Sequence, residues 1–396
     1  MNPPGTSTIA VKAEPTARRA ELFDAPTYSD WVRAQTRMPK ASDTIVLYDS
    51  TIREPTDELI EVVRDAFSLR ITNRYVSAFD GGNPFAVEAL CRRYGVETDR
   101  LIATTGATSA ISLVLRTLAE PGDHVLIERP CFDLLTQMAK GAGLQVDDLP
   151  RRPPTYGVDI AELQRRLTDR TKLILLTNLH NPSGGILTPA EMTAIAQAAA
   201  RVGALVVVDE VYGDFARDIS PTPAASLAPN IVSVASLTKV YGLFALKCGW
   251  LTADPDVIQR IKDGAPEGDL GVSKLAHAVA AHVLEEPAVF DAHWRRIVSL
   301  TRPILQRHAA RLIEAGLIEG DVPSHGCMYF PRVVGVDDTL GLARALWSEF
   351  GLLVAPGEYF GAPGHFRIGF ASDSPDFERG LERLGAALET LRKTGW

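Results

Sequence analysis

Two runs constrain this chain more than any other feature. KLILLTN (172–178) and ALVVVDE (204–210) are apolar, rich in aliphatic and β-branched residues, and lack polar alternation. A strand wetted on one side alternates polar with apolar residues, whereas an unbroken apolar strand is covered on both faces, as in a parallel sheet between helical layers. Between the two runs lies TPAEMTAIAQAAARVG (188–203), a helix pattern with Thr188 as N-cap, Pro189 in the first turn and Gly203 as the stop. DHVLIER (123–129), IVSVAS (231–236) and LKCGWLT (246–252) are further strand candidates, and Ala107 to Leu118 has helical character after a glycine. Strand alternating with helix predicts an α/β domain with a mostly parallel sheet.

The pattern changes after residue 287. A long helix is expected from about Pro287 to Ala315, with Pro303 as a kink. Strand-like CMYFPRV (327–333), LLVAP (352–356) and HFRIGF (365–370) follow, then a final helix from about Pro375, which reads as a smaller α+β domain. A helix pattern from Ala20 to Gln35 is expected to pack with it. The expected organisation is an arm over 1–19, a small domain from 20–43 and 296–396, and a large domain over 44–295. A chain of 396 residues suits one large and one smaller domain.

The formal net charge of −8 argues against a nucleic-acid partner, which needs a dense basic face. No apolar run reaches membrane-spanning length, and the first residues show no signal-peptide segment, so a cytoplasmic protein is expected. Cys91, Cys131, Cys248 and Cys327 are scattered without CxxC spacing. Reduced thiols are expected, rather than a disulfide frame or a metal site.

Open parallel sheets bind ligands beyond the carboxyl ends of their strands. Polar residues stand at several such ends: Asn181 after KLILLTN, Asp209 at the end of ALVVVDE, Lys239 after IVSVAS, and Gly106, Ala107 and Thr108 where LIATT passes into a helix. Each is ordinary alone. An Asn-Pro turn, an acidic strand end, a glycine before a helix and a surface lysine occur in many proteins. Their convergence is what matters. A pyridoxal phosphate site needs a lysine for the Schiff base and proton transfer, a carboxylate at the pyridine nitrogen, donors to the phenolic oxygen, a helix start with hydroxyls and a cation for the phosphate, and an aromatic face.

Read together, TTGATSAI (104–111), ERPCFD (128–133), HNPSGG (180–185), VVVDEVYGDF (206–215), SLTKVYG (236–242) and HFRIGF (365–370) resemble, in order, the class I/II aminotransferases of the aspartate-aminotransferase fold type. The resemblance runs from about Thr44 to the C-terminus. It implies a seven-stranded, mostly parallel sheet in the large domain and a homodimer with shared active sites. It implies that Lys239 carries the cofactor as a Schiff base, that Asp209 pairs with the ring nitrogen, and that Tyr212 and Asn181 bond the phenolic oxygen. Gly106, Ala107, Thr108 and Ser236 would hold the phosphate, Phe132 would stack on the ring, and Tyr75 would reach a neighbouring subunit's phosphate. Arg367, with Asn181, would bind the substrate, its guanidinium clamping the α-carboxylate.

One departure stands out. The family's phosphate-binding arginine is replaced by Lys247, which keeps the charge and loses the planar fork. The implied reaction is ping-pong transfer of an amino group from an L-amino acid to a 2-oxo acid. DGAPEGDLGVSK (263–274) carries Asp263, Glu267 and Asp269 and no arginine, which favours neutral or basic substrates, guanidino compounds included, over acidic ones. Two alternatives stay open: a lyase, replacement or cyclisation enzyme using the same cofactor, and a non-catalytic effector-binding domain.

Overall fold

The computed structural model describes residues 21–37, 43–68, 70–79, 81–266, 268–373 and 375–396. The expected arm over 1–19, part of the expected segment 20–43, and Glu267 lie outside the described residues.

The large sheet has eight strands. Across the sheet their order is Leu101–Thr104, Gly249–Thr252, Ile231–Ser236, Leu205–Asp209, Thr171–Thr177, His124–Arg129, Gln145–Arg152 and Gly157–Val158. Seven strands make the expected mostly parallel sheet, with Gly249–Thr252 the antiparallel member. The eighth is a two-residue return that pairs Gly157 and Val158 with Arg152 and Arg151, too short to leave an apolar run in the sequence.

Both faces of the central strands are covered, as their unbroken apolarity demands. Leu173, Leu175 and Val207 pack with Ala110, Ile111 and Val114 of the helix Ala107–Leu118. The intervening Ile174, Leu176, Val206 and Val208 pack with Met192, Ile195 and Ala199 of the helix Pro189–Ala200 on the other side. That second helix starts at a reciprocal cap: Thr188 Oγ1 accepts from the Glu191 amide, and the Glu191 carboxylate accepts from the Thr188 amide at 2.8 Å. Its last regular residue is Ala200, and Gly203 closes it as expected: with φ +72 its amide donates to the Ala200 carbonyl, and the Ala204 amide donates to the Ala199 carbonyl, both at 3.1 Å.

The long helix runs unbroken over Ala288–Glu314 with Pro303 inside it, and the last helix, Pro375–Thr394, packs along it. CMYFPRV is not one strand. Met328–Tyr329 and Arg332–Val333 join different small sheets, because Pro331 lacks the amide a continuous ladder requires. Met328–Tyr329, Phe366–Gly369 and Ala355–Pro356 form a three-stranded antiparallel sheet. The expected N-terminal helix is a short 3-10 turn, Glu21–Asp24, followed by the helix Tyr28–Arg37. The expected domain boundary at residue 44 falls just before Ile45–Val46, which pairs with Leu352–Leu353 rather than with the large sheet. All four cysteines are free and buried. Among the described residues no helix is long and apolar enough to cross a membrane.

One contact fixes the position of a helix start. Gly106 precedes the helix Ala107–Leu118 with φ +105, and Gly249 lies against it: a Cβ on Gly249 would come within 2.6 Å of Gly106 Cα and 2.7 Å of the Ala107 nitrogen. Both are main-chain atoms that cannot swing away. Gly249→Ala is therefore expected to cost about 1–3 kcal/mol of stability by overpacking, measured by denaturant unfolding. An unchanged midpoint would mean that the strand Gly249–Thr252 slides to make room.

Candidate active site

A cleft open to solvent lies at the carboxyl ends of the parallel strands. It is lined by every site residue expected from the sequence except Tyr75.

Asp209 ends the central strand Leu205–Asp209, in register with Thr177 and Val234 on either side. Its Oδ1 accepts from the Val211 amide at 3.0 Å. No cationic side chain stands within ion-pair distance of it among the described residues. Burial pushes its carboxyl up to about 6, the neighbouring charge of Glu128 adds to the rise, and Lys239 opposes it. Tyr212, three residues on, is buried, and burial drives its phenol far above the ordinary tyrosine range. Its hydroxyl lies 2.8 Å from Ser50 Oγ.

The Asn181 turn is tied down from below. The Asn181 amide donates to Thr177 Oγ1 at 3.0 Å, and the Thr177 amide donates to Glu128 at 2.8 Å. Glu128 in turn meets Arg151 at 2.6 Å, both side chains fully buried. Burial holds His180 neutral, well below the ordinary imidazole range. Its Nε2 lies 2.8 Å from the Pro130 carbonyl and its Nδ1 lies 2.6 Å from Ser183 Oγ, so Nε2 donates and Nδ1 accepts from the hydroxyl. This imidazole joins the turn carrying Asn181 to the one carrying Phe132, which stands at the head of the helix Asp133–Gly141.

Arg367 lies on Phe366–Gly369 with 1% of its surface exposed. Its guanidinium donates to Asn181 Oδ1 at 2.8 Å, to the Tyr28 hydroxyl at 2.6 Å and to the Tyr48 carbonyl at 3.1 Å, and it lies 4.9 Å from the ring centres of Tyr28 and Phe360. All of these are neutral groups. Its Nε has no hydrogen-bond partner.

Lys239 is half-buried, and its Nζ donates to Thr51 Oγ1 at 3.0 Å. Ser236 ends its strand, and its Oγ accepts from the Thr238 amide at 3.3 Å. Thr104 Oγ1 braces the turn before the helix Ala107–Leu118 by donating to the Gly106 carbonyl at 3.0 Å. Lys247 adopts the left-handed backbone region (φ +46, ψ +40), with its Nζ 3.5 Å from the Phe244 ring centre.

Tyr75 lies outside the cleft, its ring 4.2 Å from the ammonium of Lys274. The acidic loop stays outside too: Asp269 pairs with Arg116 and Asp263 accepts from Gln259. His325 meets Asp218 at 3.1 Å, and the Tyr329 hydroxyl donates to the Gly320 carbonyl, so both serve packing and turns. Sequence reasoning missed Tyr28, Ser50 and Thr177 in the cleft wall. Tyr28 and Ser50 stand far from the site motifs in the chain, and Thr177 reads as one more residue of a buried strand.

The model for the family "Aminotransferase class I and II" matches residues 47–384. Capreomycidine synthase of Streptomyces vinaceus is 31% identical over 299 residues, covering 73% of this chain and 75% of that protein. An aspartate aminotransferase of Streptomyces avermitilis is 26% identical over 358 residues, covering 85% and 86%. A Thermus thermophilus aspartate aminotransferase double mutant superimposes with a TM-score of 0.79 at 21% identity, covering 97% of this chain and all of that one. With a model match across most of its length and a relative of this identity and coverage, the chain belongs to the class I and II aminotransferase family.

Proposed function

We propose that this protein is a pyridoxal-phosphate-dependent aminotransferase that moves the amino group of a neutral or basic L-amino acid to a 2-oxo acid by a ping-pong route. The observation that carries the reading is a pair of buried, uncompensated charges in one cleft. Asp209 and Arg367 have no ion-pair partner among the described residues, and both line the cleft that holds the amine of Lys239.

The donor set fits the cofactor. A buried carboxylate raised by its own burial is suited to a cationic ring nitrogen, which would relieve the desolvation that raises it. A helix start with free amides, beside Thr108, Ser236 and Lys247, suits a phosphate. When bound, pyridoxal phosphate supplies an electron-accepting ring that stabilises negative charge at the substrate Cα.

The chain's own residues supply the rest. Lys239 Nζ is the base that takes the Cα proton. Asp209 would keep the proton on the ring nitrogen. Tyr212 and the Asn181 amide group would bond the phenolic oxygen, and Phe132 would cover the ring face. Arg367, whose Nε is unspent, takes the substrate α-carboxylate with Asn181 beside it.

A homodimer belongs to the same reading. Ile60, Val63, Ile71, Phe79, Phe244 and Leu275 are large apolar residues left exposed. The side chain of Phe79 lies near Gly271, and Tyr75 against Lys274, in the same region as Leu275. Tyr75 would then serve the second subunit's phosphate. The division into a small domain from both chain ends and a large cofactor-binding domain, and a cytoplasmic location, belong to the same proposal.

A second reading is favoured by one observation, the 31% identity to a protein named capreomycidine synthase. In that reading the same residues of this chain serve a lyase, replacement or cyclisation reaction. A panel of amino acids, titrated against the visible band of the purified holoprotein with and without 2-oxo acids, separates the two. Transamination predicts band loss that only an oxo acid reverses; product formed catalytically without an oxo acid selects the second reading.

Arg367→Ala is expected to raise the KM for amino acids by at least about thirtyfold, since truncating one member of a buried charged pair costs about 2–5 kcal/mol. An unchanged KM for several amino acids would remove the carboxylate role.

Asp209 makes a pH prediction. Its folded value of about 6 lies above the unfolded value, so the folded state binds more protons between about 4 and 6, and stability falls as pH rises through that window. In cofactor-free protein, Asp209→Asn should therefore gain up to about 3 kcal/mol on the wild type between pH 4 and 7. Pyridoxal phosphate should stabilise the wild type more than the variant, because only the wild type gains a counter-charge for Asp209. Denaturant unfolding at each pH measures this; a difference independent of pH would count against an uncompensated Asp209.

A further inference from the structure

The segment Tyr48–Arg53 passes between the two halves of the active site and touches both. On one side it lies on the strand that carries Arg367. The Gly369 amide donates to the Leu47 carbonyl at 2.7 Å, Arg367 donates to the Tyr48 carbonyl at 3.1 Å, and the Arg53 amide donates to the Ala371 carbonyl at 3.0 Å. A Cβ on Gly369 would collide with the Asp49 carbonyl, so the segment rests directly on that glycine. On the other side the Ile52 amide donates to the carbonyl of Lys239 itself at 3.0 Å. With its main chain fixed from both sides, the segment turns two consecutive hydroxyls onto site residues: Ser50 Oγ to the Tyr212 phenol at 2.8 Å, and Thr51 Oγ1 to Lys239 Nζ at 3.0 Å.

Resting on the function proposed above, we infer that Thr51 is a positioning residue for the reaction. Its hydroxyl holds the amine of Lys239 in place whenever that amine is free, and Ser50 holds the Tyr212 phenol from the same segment.

The choice of a hydroxyl has a physical reason. A lysine amine that acts as a base must pass between neutral and charged forms. A carboxylate beside it would hold it as ammonium. A threonine oxygen accepts an N–H from either form, so the contact survives the proton's arrival and departure. Threonine is also β-branched, so its χ1 is restricted and the oxygen has a fixed direction. Serine at the same place keeps the oxygen and loses the restriction. The backbone bond from Ile52 to the Lys239 carbonyl fixes the root of the lysine, and Thr51 fixes its tip.

The test compares Thr51→Val, which keeps the shape and removes the oxygen, with Thr51→Ser, which keeps the oxygen. Thr51→Ala repeats the first if valine disturbs the fold. Removing the oxygen is expected to lower kcat by about tenfold to a hundredfold, the scale of a misplaced reacting group, with the amino-acid KM and the melting temperature nearly unchanged. A second readout is independent of turnover. Cofactor-free protein is mixed with pyridoxal phosphate, and the growth of the visible band is followed; it should slow by a similar factor in Thr51→Val and recover in Thr51→Ser. Equal kcat and equal band growth in wild type and Thr51→Val would overturn the inference, as would Thr51→Ser behaving like Thr51→Val. Lys239→Ala keeps the two levels apart. If it loses the band while Thr51→Val is unaffected, Thr51 has no positioning role and the proposed function stands; if it keeps both band and turnover, the function itself is wrong.

Discussion

Arg367 is a buried cation bonded only by neutral groups, and the rest of the cleft is arranged around that fact. A charge taken out of water without a counter-ion is costly, and it persists only where hydrogen bonds and polarisable surfaces replace its solvent. Asn181, the Tyr28 hydroxyl, the Tyr48 carbonyl and two aromatic faces do so here. These acceptors are themselves fixed. Asn181 is fixed by Thr177, Thr177 by Glu128, and the charge of Glu128 is answered by Arg151. Charge pairing thus takes place behind the turn, out of reach of the cleft. A carboxylate at position 181 would instead neutralise Arg367 directly, and a substrate carboxylate would have to displace it.

The same logic runs through the other polar residues. Asp209 is rigid because it ends the central strand of a sheet covered on both faces, and it stays without a cation because its local bond is to a main-chain amide. Lys239 meets a hydroxyl rather than an acid. The cleft therefore collects a cation, an anion and an amine that do not cancel one another. Natural proteins tolerate such conflicts where function needs them, and the unbroken apolar layers around the sheet supply the stability that the site gives up.

This division explains what could be read in advance. KLILLTN and ALVVVDE announced a sheet covered on both faces because burial on two sides leaves no polar alternation, and the site residues at their ends followed from where such sheets bind ligands. Thr188 and Pro189 marked a helix start through chemistry local to four residues. Gly157–Val158 and the split at Pro331 were not legible, since two-residue strands have no period to detect. Nor were Tyr28, Ser50 and Thr51, whose importance comes from contacts 162 to 339 residues away in the chain. The Arg151–Glu128 pair was also missed: in sequence each reads as a solvated charge, and only the packed sheet shows both fully buried.

Lys247 shows how far a local departure can be absorbed. Its left-handed backbone carries a cost of about 1–2 kcal/mol for a side chain with a Cβ, and the conformation brings its ammonium over the Phe244 ring, 3.5 Å from the centre. At an exposed residue such a contact is worth about 0.5–1 kcal/mol. A lysine that turns to a phosphate gives up the ring face and gains a single charged contact, where an arginine would add a planar two-point grip. In the proposed function, the phosphate therefore depends first on groups that do not move: the amides of Ala107 and Thr108 and the hydroxyl of Ser236. Those amides are set by the contact between Gly106 and Gly249, so the replacement at 247 shifts the burden of phosphate binding from a side chain to the place where a strand presses on the start of a helix.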